Sequence, residues 1–179
     1  MRMSKATTRV ISFSVLLLAI SNPAFADAYV DASLPFLEIS DSNQQAEAWA
    51  VCAASYDIMS TIMEPQAPAR AEQLSGLGDG AELAVAMALV INDLDPDIPL
   101  ERFKALWAKA AAAMTELPQA QLTSILADAE KLGSEQSQEF GRKINATVVA
   151  CISNLEAQRM YIASWRELVN SGLLKPSAD

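Results

Sequence analysis

Apolar positions in this chain recur at intervals of three and four rather than two, the period that lines up side chains on one face of an α-helix. Over 46–63 (AEAWAVCAASYDIMSTIM), Trp49, Cys52, Tyr56, Met59 and Met63 share one stripe, flanked by Val51, Ile58 and Ile62. Glu47, Asp57 and Thr61 take the other side, followed by Glu64. The pattern predicts an amphipathic first helix over 43–64. Ser42 with Gln45 three residues later is a capping-box pattern for its start. Pro65 stops it by disfavouring helix in the residue before.

A short helix over 66–74 is expected next. Glycines at alternate positions in Ser75-Gly76-Leu77-Gly78-Asp79-Gly80 then predict a loop or hinge. No strand precedes them and no Gly-Lys-Ser/Thr follows, so a phosphate-binding loop is not indicated. Helix two, over 81–92, is apolar nearly all round (Leu83, Val85, Met87, Leu89, Val90, Ile91) and belongs at the centre of a bundle. Helix three, over 99–117, carries Phe103, Trp107, Ala110, Met114 and Leu117, with 110–113 small enough for close approach of another helix. Pro118 is read as ending it and opening helix four over 118–132, along Leu122, Ile125, Ala129 and Leu132. Gly133 is then a natural C-terminal cap.

Helix five is expected to be the longest, over 135–170. Phe140, Ile144, Val148, Cys151, Leu155, Gln158, Ile162, Trp165 and Val169 form its stripe. Gln158, the one polar member, is read as lying where the stripe meets solvent. The alternative is a buried hydrogen bonder that sets register. Residues 27–42, with Pro35 and no long period, form an extended N-terminal arm whose Leu34, Phe36, Leu37 and Ile39 lie against the bundle. Residues 173–179 are a C-terminal tail. With no strand alternation and no internal repeat, the expected fold is all-α: a single-domain bundle of about five helices over 43–172.

The first 26 residues change the picture of where this bundle works. Arg2, Lys5 and Arg9 precede an apolar run over 10–20, and Ala24-Phe25-Ala26 is a small-x-small cleavage site. These are the three parts of a secretory signal peptide of bacterial type, with an apolar run too short to span a bilayer. Periplasmic or secreted localisation is therefore expected, with no transmembrane anchor after cleavage. An exported chain meets an oxidising compartment, so Cys52 and Cys151, 99 positions apart, are expected to pair as a disulfide between the first and last helices.

The formal charge is −9, from 13 Lys+Arg and 22 Asp+Glu. Removing 1–26 deletes three basic and no acidic side chains and takes it to −12. Such a balance argues against nucleic acid or an anionic membrane surface as partner. It is compatible with a basic protein or a cationic ligand.

Candidate chemistry is limited by the absence of histidine. Ser-His-Asp and Cys-His catalysis, imidazole-ligated zinc and His-bound haem are all unavailable. The cysteines lack Cys-x-x-Cys spacing. Asp93, Asp95 and Asp97 alternate as in a calcium loop, but Ile98 and Lys104 stand where an EF-hand needs glycine and a bidentate acid. Met59 and Met63, one turn apart, are candidate soft ligands for Cu(I). Their ordinary use is flexible core filling. A carboxylate pair for acid–base work is possible in principle, although no spacing singles one out.

The plan resembles the small periplasmic acid-stress chaperones, which are helical and disulfide-clasped with tryptophans near both cysteines. The likeness is carried by Trp49 near Cys52 and Trp165 after Cys151, and it transfers no residue roles. The expected function is an exported, non-enzymatic binding or protein-interaction module of chaperone-like character, taking a protein or a small apolar ligand and needing no cofactor. The alternatives are periplasmic copper handling through methionines and a histidine-free carboxylate enzyme.

Overall fold

A computed structural model describes residues 29, 34–95, 97–132 and 137–174. The expected signal peptide, most of 27–33, the Gly133 cap and most of the C-terminal tail lie outside the described residues. Within them the chain forms five α-helices: α1 (Ser42–Met63), α2 (Pro68–Val90), α3 (Leu100–Leu132), α4 (Ser137–Ser153) and α5 (Leu155–Asn170). No strand occurs among the described residues. The all-α bundle of about five helices is what the periodicity implies, but three of the expected boundaries move.

The glycine-rich stretch is not a loop. Pro68 stands in the first turn of α2, where a missing N–H costs nothing, and the helix runs through Gly76, Gly78 and Gly80 without interruption. Glycine in a helix interior costs about 1 kcal/mol each relative to alanine, and the packing of two of them offsets that. A Cβ on Gly78 would stand 3.7 Å from Cβ of Tyr56 on α1. A Cβ on Gly80 would stand 2.0 Å from Nε2 of Gln158 on α5. The glycines let helices approach; they do not mark a hinge. By length and composition Pro68–Asp93 would suffice to cross a membrane, and in this fold it is the central helix, packed by α1, α3 and α5.

Pro118 likewise fails to end a helix. It lies inside α3, a 33-residue helix, and is buried. Proline in a helix interior removes one hydrogen bond and crowds the carbonyl four residues back, at about 3 kcal/mol. Here its ring is buried against the bundle, lining a small cleft with Ala53 and Ala54 of α1. Expected helices three and four are therefore one element.

The opposite correction applies at the C-terminal end, where the expected long helix is two. Asn154, with φ −99° and ψ 12°, breaks the run between α4 and α5. Its N–H reaches back only three residues, to Cys151 O at 3.1 Å. Its side chain works for the tertiary structure: Oδ1 accepts from Phe36 N at 2.8 Å, and Nδ2 donates to Ala150 O at 3.0 Å. A short amide that competes with the backbone for hydrogen bonds is well suited to such a break.

Cys52 and Cys151 form a disulfide, with Cα atoms 5.6 Å apart. It joins α1 to α4, the first half of the expected terminal helix. Around it, Trp49, Tyr56, Met87, Ile125 and Ile144 are essentially inaccessible to solvent. A second, smaller cluster of Ala86, Val90, Phe103 and Ala110 ties α2 to α3.

Candidate functional site

The N-terminal segment is attached at defined points rather than simply laid against the bundle. After Pro35 it makes a 3₁₀ turn, Phe36–Glu38, and then extends to Asp41, so the expected arm is only partly extended. Phe36 is completely buried and meets Trp49 edge-on at 4.7 Å between ring centroids. Trp49 in turn meets Tyr161 edge-on at 6.1 Å. Such aromatic pairs add about 0.5–1.5 kcal/mol beyond area burial. Leu34 and Leu37, expected to lie inward with Phe36, are 39% and 50% exposed. Further back, the Tyr29 hydroxyl donates to Asp128 on α3 at 2.7 Å, and Lys143 of α4 pairs with the same carboxylate at 3.1 Å. These bonds hold the Asp128 carboxyl below its ordinary range.

The helix start is also not the capping box expected from Ser42 and Gln45. Asp41 caps α1, accepting from Asn43 N at 2.8 Å and Gln44 N at 3.0 Å. That leaves Gln45 free for an interior role. Its Nε2 donates to Phe36 O at 2.7 Å, and its Oε1 accepts from the Tyr161 hydroxyl, also at 2.7 Å. Gln45 is 4% exposed and Tyr161 3%. Burial pushes the Tyr161 phenol up to about 12, so it remains a neutral donor over the ordinary pH range.

This pair forms one wall of a cleft of about 480 Å³ between the N-terminal segment, the start of α1, the end of α2 and α5. The volume falls in the range of small-molecule sites. Leu37, Ile39, Ile91 and Met160 supply its apolar surface, and none of its lining side chains is charged. On α5, Met160, Tyr161 and Ser164 face it together because positions three and four apart share a helix face. Met160 at 54% exposure and Leu37 at 50% are among the most exposed large hydrophobics of the described chain.

The residues singled out in the sequence fare differently. Cys52 and Cys151 are spent in the disulfide and offer no thiolate. Met59 and Met63 are half-buried on α1, Met87 is inside the core, Met114 packs on the second cluster and Met160 lines the cleft. Among the described residues no group of three Asp, Glu, Cys or His side chains is arranged to hold a metal ion. Gln158, read as a rim residue, is 3% exposed and donates to Leu77 O at 3.0 Å, so the buried reading holds. Among the described residues, its Oε1 is one of four buried polar side-chain atoms without a partner, with Trp49 Nε1, Ser55 Oγ and Tyr56 Oη. Glu82 and Asp57 line a small cleft of about 100 Å³ beside Pro118. Burial, then Asp79 and Asp57, raise the Glu82 carboxyl. Asp57 is exposed, so the two acids do not share a closed pocket.

Sequence reasoning missed Gln45, Asn154 and Tyr161. Gln45 lies four residues before Trp49 and seven before Cys52, so it continues the apolar stripe of α1. A polar residue on a core stripe was the available signal. Its partner, 116 residues away, could not be read from spacing. Compared with protein families, curated proteins and solved structures, the chain has no significant match in any of them.

Proposed function

We propose that this protein is an exported, non-enzymatic helical module that binds an apolar group of a ligand or partner protein. The observation that carries the reading is the uncharged cleft at α5, with half-exposed Leu37 and Met160 beside the buried Gln45–Tyr161 pair. Large exposed side chains beside a concave surface provide apolar area to cover, at about 25 cal/mol per Å². The Phe36–Trp49–Tyr161 packing holds the N-terminal segment, α1 and α5 together before a ligand arrives, which reduces the ordering cost of binding. The signal-like N-terminus and the disulfide both support work in an oxidising compartment.

The test is fluorescence titration with N-phenyl-1-naphthylamine, a neutral dye that brightens on entering an apolar site. The folded protein is expected to bind it saturably, and Met160→Glu, at an exposed position, is expected to weaken binding about tenfold or more without lowering thermal stability. Absence of saturable binding by the unsubstituted protein would remove the reading.

A further inference from the structure

We infer that the occupant of the α5 cleft is an extended peptide segment carrying basic residues beside an apolar side chain. This rests on the binding reading above and names the ligand class. The cleft does not end at its apolar walls. Through Asn92 it adjoins a depression of about 590 Å³ lined by Asp93, Asp95, Asp97 and Arg102. Through Ser40 and Ser42 it adjoins another, of about 380 Å³, lined by Asp41, Asp93 and Lys109. Three connected depressions at one end of the bundle suit an extended chain better than a compact small molecule.

Charge then selects among chains. The cleft itself is neutral, and the two depressions beside it carry four carboxylates against two cations. They belong to a chain whose formal net charge is −9. A basic side chain next to a seated apolar one would meet complementary potential, and an acidic one would be repelled.

The experiment uses three end-blocked, fluorescein-labelled hexapeptides, each of three leucines with three lysines, three glutamines or three glutamates. Binding to the full protein is followed by fluorescence anisotropy at low salt. The lysine peptide is expected to bind at least about tenfold more tightly than the glutamine peptide, and the glutamate peptide more weakly than either. The lysine preference should shrink as salt is raised toward about 1 M, where screening acts within about 3 Å. The combined variant Asp93→Asn, Asp95→Asn, Asp97→Asn should bind lysine and glutamine peptides alike while binding the neutral dye as before. Equal binding of the lysine and glutamine peptides to the unsubstituted protein, or a lysine preference that survives the three substitutions, overturns the ligand class. Dye binding without charge preference overturns this inference alone, whereas loss of both dye and peptide binding overturns the cleft as a site.

Discussion

Nε2 of Gln158 lies 2.0 Å from where a Cβ on Gly80 would stand, so α5 seats on α2 at a point where α2 has no side chain. The same nitrogen donates to Leu77 O, and Gln158 is 97% buried, so it cannot rotate away without losing that bond. Gly80→Ala should therefore destabilise. Loss of a buried hydrogen bond costs about 1–3 kcal/mol, and the gain in helix propensity returns about 1, for a net loss of up to about 2 kcal/mol. Gly76→Ala is the internal control: nothing lies within 4 Å of its Cβ position, so it should stabilise by about 0.5–1 kcal/mol. Urea unfolding of the two variants measures both signs.

Replacing Cys52 and Cys151 together by alanine should remove at most about 4–5 kcal/mol. The bridge spans 99 positions, and its effect falls mainly on the unfolded chain, which retains some structure when reduced. Denaturant unfolding of the variant measures this loss. Under non-reducing mass analysis the native chain should be two hydrogens lighter than its dithiol form.

Asn154→Ala should cost about 1–3 kcal/mol, because Phe36 N would lose its buried acceptor. Asn154→Asp retains an acceptor for that N–H but loses the donation to Ala150 O. It should fall between the native protein and the alanine variant in thermal unfolding. Limited proteolysis should cut near residues 34–40 faster in the alanine variant.

Glu82 supplies a pH signature. Its carboxyl is raised in the fold by burial and by Asp79 and Asp57, so ionising it opposes folding. The handicap is absent below its ordinary value of 4.5 and grows as pH rises through the raised one. Glu82→Gln should thus raise the melting temperature at about pH 7 and leave it unchanged at about pH 3. Equal shifts at both pH values would assign the effect to packing instead.

How much of this was legible follows from the kind of signal each residue gives. Helix content and the disulfide partners could be read from stripes through Trp49, Cys52, Ile144 and Cys151, because a 3.6-residue period is local. Gly76–Gly80 and Pro118 misled, since their propensity for breaking helices is also local and tertiary packing overrode it. Tyr56, Gln158 and the α1 residues around Ala53 and Ala54 supply that packing from positions distant in the chain. The stripe misled in the other direction past Cys151: the apolar period runs on through Leu155 in sequence, yet the helix ends at Asn154, whose amide is bonded to Phe36, 118 residues earlier. The cleft was illegible for the same reason, since it joins 37–45, 91–92 and 160–164.

The central claim is that ligand enters at α5, and the methionine methyl groups test it directly. Met59, Met63, Met87, Met114 and Met160 occupy distinct environments, and only Met160 lines the cleft. With 13C-labelled methionine methyls, titration of the lysine–leucine peptide should move the Met160 resonance and leave those of Met87 and Met114 in place. A shift centred on Met59, Met87 or Met114 with Met160 unmoved would contradict the account.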